Sequence, residues 1–178
     1  MKSALAIAAM AAGLAAGPAV AADRASALAS AFQRWCLDRA PDFAALDAKA
    51  AAAGLTVAND HKTTTPADGT VESKLWDVAD EPTGAYSLTG GLAVNNGKQV
   101  TICGLAAPDA SGDDLRELLS RPDHFGPPTG TRASDDGALR LTEFKSPFAH
   151  AYVILSDGAP QHAAGVILNI TEVREAGR

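Results

Sequence analysis

Four histidines are the side chains of this sequence best suited to move a proton near neutral pH or to hold a metal: His61, His124, His150 and His162. Two of them follow an aspartate directly, as Asp60-His61 and Asp123-His124, in polar stretches. An imidazole oriented by a carboxylate is what a general base or a zinc ligand requires. Adjacent residues point apart, however, so neither dipeptide makes such a pair by itself. His150 and His162 fall on the two arms of the last expected hairpin. An odd-length turn would place both on one face, where Glu143 of the preceding strand is the nearest carboxylate. A solvated or hydrogen-bonded structural histidine is the simpler expectation for all four.

Nucleophilic chemistry has no local signature. Ser73, Ser87, Ser134, Ser146 and Ser156 lie near expected loops, but none sits in Gly-x-Ser-x-Gly or Ser-x-x-Lys, and His-Glu-x-x-His and Cys-x-x-Cys are absent. Glycoside chemistry would draw on Asp77, Asp80, Glu81 or Glu143. Trp76, Tyr86 and Tyr152 are the plausible aromatic platforms outside the helices. The fragment GGLAVNNGKQ echoes a phosphate loop, but its glycines are misspaced and Gln99 stands where a magnesium-binding hydroxyl belongs. The candidate functional surface is Trp76, Tyr86, His124, His150 and Tyr152, with no metal or other cofactor expected.

The compartment decides how the cysteines are read. Residues 1–22 are MKSALAIAAMAAGLAAGPAVAA: one Lys2, an apolar run, Pro18, and the triplet Ala19-Val20-Ala21. This is the layout of a secretory signal peptide cleaved near Ala21-Ala22, leaving 23–178 as one exported domain. The alanine-rich run is too weakly apolar for a spanning helix, so no membrane span is expected in the mature chain. A periplasmic or secreted location follows. The formal charge of −6 argues against nucleic acid as a partner.

Only Cys36 and Cys103 are available in that oxidising setting, so a single pairing is possible. Closing so long a loop is worth roughly 4 kcal/mol by the chain-entropy argument.

The remaining elements must position these groups. Residues 24–53 are helical in character: Leu28, Phe32 and Cys36 recur every four residues, and Pro41 with Asp42 suits the first turn of a second helix. Residues 59–70 read as a polar loop. Strands are expected at 74–78 and 85–93, and LAVNNGKQVTICGLA reads as a hairpin. Its Asn96-Gly97 turn of type I′ sets Leu92 opposite Thr101 and Gly90 opposite Cys103. Gly90-Gly91 suggests a bulge or a close backbone approach. Ser111 and Asp114 open a short helix with Leu115, Leu118 and Leu119 inward. Residues 122–137 read as a long loop, followed by strands at 139–144, 149–155 and 163–173. The paired charges Asp113-Asp114 and Asp135-Asp136 read as solvated turns.

The expected fold is α+β: an antiparallel sheet of about five or six strands on N-terminal helices, with one short helix between two three-strand halves. The expected role is a non-catalytic binding or envelope-associated module, its partner an envelope protein or a small ligand. The alternative is a small periplasmic hydrolase using a histidine and a carboxylate. A cleft gathering His124 or His150 with an acid and a serine would favour the hydrolase. A flat apolar patch would favour the binder.

Overall fold

Leu28, Phe32 and Cys36 form one buried stripe on α1 (Pro18–Cys36), the first element of a computed structural model that describes residues 18–65, 69–80, 84–158 and 165–176. The leader's charged and apolar regions lie outside the described residues. Within them, no helix is long and apolar enough to cross a membrane. The chain turns at Pro41, and α2 (Phe43–Ala52) begins two residues after the Pro41 that the sequence places in its first turn. Asp42 is its N-cap, with extended backbone and a side chain that accepts the Ala45 N–H at 3.0 Å. A cap needs that non-helical geometry, and it satisfies one of the orphan N–H groups of the first turn.

Eight strands follow: β1 (Thr56–Thr65), β2 (Gly69–Asp80), β3 (Gly84–Asn95), β4 (Lys98–Ala107), then α3 (Gly112–Leu119), β5 (Gly130–Ala133), β6 (Leu139–Lys145), β7 (Ala151–Gly158) and β8 (Val166–Glu175). All pair antiparallel in the order β1-β2-β3-β4-β8-β7-β6-β5. The fold is α+β, but the sheet has eight strands rather than five or six. The two additional strands are β1, of which the sequence suggests only a short strand at 55–57 before the loop of 59–70, and β5, whose stretch reads as a loop. They are the sheet's two edges, and β5 is exposed at all four residues. With neither face buried, an edge strand needs no apolar alternation. The first half is therefore two helices followed by a four-strand meander and the second one helix followed by another, and the halves meet at β4 and β8.

The helices cover one face of the sheet. Pairing carries the inner rows across it: Trp76, Leu88, Leu105, Leu168, Leu155 and Thr142 form one row, and Gly90, Cys103, Ile170, Val153 and Phe144 the next. All of these are buried. Cys36 of α1 is bridged to Cys103 of β4 with Cα atoms 5.5 Å apart, which ties the first helix to the central hairpin. The Gly90 position is a close approach, not a bulge. A Cβ there would lie 2.8 Å from Leu46 Cδ2 of α2 and 3.2 Å from the Phe43 ring. Beside it, Lys74 of β2 donates to Asp47 of α2 at 2.7 Å. That bond raises the Lys74 pKa, aided by the charges of Asp47 and Asp60.

The hairpin turn has the expected register, with Leu92 opposite Thr101 and Gly90 opposite Cys103. Asn96 and Gly97 hold φ of 49° and 73°. Nothing lies within 4 Å of a Cβ built on Gly97. Gly97→Val should therefore cost stability through backbone strain alone, on the order of 1–3 kcal/mol. Gly97→Asn should cost much less, because Asn tolerates the left-handed region. Thermal melts of the two variants check this, and equal melts would contradict it.

Candidate functional site

The helix α3 starts at a cap and a close contact. Ser111 Oγ accepts the Asp114 N–H, and Gly112 lies against Asp157 of β7 so closely that a Cβ would sit 2.2 Å from Asp157 Oδ2. Glycine at the first helical position is what lets the carboxylate reach its partners. Asp157 is 4% exposed. Its Oδ1 accepts from Arg116 Nη2 at 2.6 Å and Arg140 Nε at 3.3 Å, and its Oδ2 accepts from Arg140 Nη2 at 2.5 Å. Asp113 Oδ1 takes a bond from each arginine at 2.7 Å, and Arg116 Nε donates to the buried Thr142 hydroxyl. Two guanidiniums and two carboxylates thus lock α3 to β6 and β7. A buried charge is tolerable only with partners of this kind. The Asp113-Asp114 pair is not simply a solvated turn: Asp113 belongs to this network.

The lock fixes what lies beyond the end of α3. Residues 121–126 form a hydrogen-bonded turn, with Phe125 N–H donating to Leu119 O, and His124 and Gly126 N–H to Arg121 O. Phe125 is wedged between Phe32 of α1, at 6.5 Å between centroids and edge-on, and Phe144 of β6, at 6.0 Å. The expected long loop of 122–137 is in fact this turn, a short connection, β5, and the turn of 134–137 that leads into β6.

Between α1, the 121–126 turn and the end of β6 lies a cleft of about 460 Å³. Phe32, Leu119 and Phe125 supply its apolar wall, and Gln33, Asp123, His124, Lys145 and Ser146 its polar groups. Among the described residues no hydrogen bond joins His124 to Asp123 or Ser146. Ser146 Oγ instead accepts the Phe148 N–H at 3.1 Å.

The structure scatters the five residues of the expected functional surface. His124 lines this cleft. Trp76 and Tyr86 face the helices in the core, 1% and 3% exposed, and the Tyr86 hydroxyl accepts a bond from Trp35 Nε1 at 3.0 Å. His150 sits exposed in the β6–β7 turn at φ 61°, where its carbonyl accepts the Val173 N–H. Tyr152 lies half-exposed on the uncovered face of the sheet, opposite Lys145 and Thr171. His61 is exposed on the edge strand β1, and His162 lies outside the described residues. Among the described residues, no three His, Cys, Asp or Glu side chains are grouped to hold a metal. Sequence reading missed Arg116, Arg140 and Asp157. The signal was alternation: Val153, Leu155 and Asp157 share one phase of β7, as do Arg140, Thr142 and Phe144 in β6.

No protein-family model matches the chain, and neither the curated proteins nor the solved structures give a match.

Asp157→Asn should destabilise the protein by about 3–5 kcal/mol, because it strips charge from between two arginines. Asp113 responds differently. Hydrogen bonds from Arg140 and then Arg116 hold its pKa below the ordinary 3.8. A depressed carboxylate stabilises the fold above its unfolded value, and the gain is lost as pH falls below about 4. Asp113→Asn should therefore flatten stability in that acid range in urea titrations. An unchanged acid limb would contradict the linkage.

Proposed function

We propose that the chain is an exported, non-catalytic binding module that holds a small amphipathic ligand in the cleft beside His124. The observation that carries this reading is the cleft itself. Its volume of about 460 Å³ lies within the usual range for small-molecule sites, and it combines an apolar wall with a few polar groups. Its turn is hydrogen-bonded through its own backbone, so the cavity does not need a ligand to form. The leader sequence and the Cys36–Cys103 bridge support an oxidising compartment, periplasmic or secreted. The net negative charge disfavours nucleic acid.

One observation favours the hydrolase alternative: Asp123, His124 and Ser146 line the same cleft. A nucleophile and its base need hydrogen-bond contact, about 2.6–3.2 Å, and no such bond links them. The binding reading is therefore preferred.

Gln33 is exposed on α1 at the rim, so Gln33→Trp should fill the cleft without touching the core. The probe is 1-anilinonaphthalene-8-sulfonate. Saturable binding of one equivalent is expected, lost in Gln33→Trp with an unchanged melt. No saturable binding would overturn the reading. Hydrolysis of p-nitrophenyl acetate abolished by both His124→Ala and Ser146→Ala would select the hydrolase. The intact mass of the exported protein should correspond to a start at residue 22 or 23.

A further inference from the structure

The inner face of the sheet turns polar at one end, where an apolar row is expected. Glu72, Leu92, Thr101 and Glu172 are successive partners across β2, β3, β4 and β8, next to the core row that contains Cys103 and Ile170. Thr101 and Glu172 are each only 3% exposed. The α1–α2 connection and the first turn of α2 cover this end, and between them and the strands lies a second cleft of about 460 Å³. Arg39, Pro41 and Phe43 line it from the connection and the start of α2, and Leu92, Gln99 and Arg174 from the sheet. Breaks in binary patterning of this kind concentrate at functional sites.

The charges in this cleft are unequally matched. Glu172 Oε1 accepts from Arg174 Nη2 at 2.6 Å. Glu72 is paired with Lys62, and Asp42 caps α2. Each of these carboxylates thus accepts at least one bond, that of Asp42 from a backbone N–H alone. Arg39 has no ion pair or hydrogen bond among the described residues, and Arg174 is steadied by Glu172 while its side chain stays half-exposed. Arg39 is therefore the guanidinium of this cleft left without a partner, and a guanidinium is the group best shaped to take a carboxylate through two parallel bonds.

We propose that this second cleft binds a small carboxylate with an apolar body, held by Arg39 and Arg174 at its charged end and by Pro41, Phe43 and Leu92 along the rest. The site is separate from the cleft beside His124 and does not depend on the function proposed there.

The test is a titration of the exported protein, labelled with ¹⁵N at arginine, with sodium benzoate, following the Nε–Hε resonances. Saturable shifts are expected at Arg39 and Arg174, and none with benzyl alcohol, which keeps the ring and lacks the charge. Arg39→Gln should weaken benzoate at least tenfold without changing the melt, since Arg39 is exposed and has no partner to lose. Glu172→Gln should move the Arg174 resonance before any benzoate is added. Gln33→Trp, which fills the other cleft, should leave benzoate binding intact. Absence of shifts at both arginines, equal binding in Arg39→Gln, or loss of binding in Gln33→Trp would each overturn the proposal.

Discussion

Among the described residues, backbone hydrogen bonding joins the two halves of the sheet at one place, the antiparallel ladder of β4 with β8, from Lys98 opposite Glu175 to Ala107 opposite Val166. Everything described above depends on it. The ladder sets Cys103 beside Ile170 and Leu105 beside Leu168 on the helix side, so the central core rows run unbroken from one half into the other. It also puts α1, bridged to Cys103, within reach of α3, which belongs to the second half. The cleft beside His124 exists because of that meeting: one wall is α1 and the other is the end of α3 with its turn. The second cleft crosses the same junction, drawing Gln99 from β4 and Arg174 from β8.

Two kinds of restraint reinforce the ladder, one covalent and one ionic. The disulfide removes freedom from the unfolded chain and fixes where α1 begins its descent toward α2. The Asp157 network works on the other half, where α3 is only eight residues long and could not hold its place by propensity. With Leu115, Leu118 and Leu119 buried on one side and Arg116 clasped by Asp157 and Asp113, the short helix has both an apolar and an ionic anchor. The turn that carries His124 inherits its position from that anchoring.

Elements with one buried face were legible in the sequence. The stripe of Leu28, Phe32 and Cys36, the Asn96-Gly97 turn with its register, the Ser111 cap and the single disulfide all carry strong local signals, and all are present in the structure. The edge strands were not legible. Beyond the short strand suggested at 55–57, TVANDHKTTT in β1 and GTRA in β5 have no buried side to impose alternation, so composition made them look like loops. The charged residues of the interior were missed for a related reason. Asp157 precedes Gly158 and reads as a turn, although its phase with Val153 and Leu155 turns it inward. Glu172 likewise shares the phase of Ile170 and Leu168. Trp76 and Tyr86 show the converse. Aromatic residues on strands could face a ligand or the core, and only the placement of α1 and α2 decides for the core.

The most direct measurement of the joined-halves account is native-state hydrogen exchange as a function of denaturant. If the β4–β8 ladder unites the fold, the amides of Cys103, Leu105, Leu168 and Ile170 should exchange only through global unfolding, with the full denaturant dependence. The Phe125 and Gly126 amides of the cleft turn should be protected well above those of the edge strands β1 and β5. Exchange of β5–β8 at a lower free energy than β1–β4, with a separate denaturant slope, would show two independent halves and contradict the account.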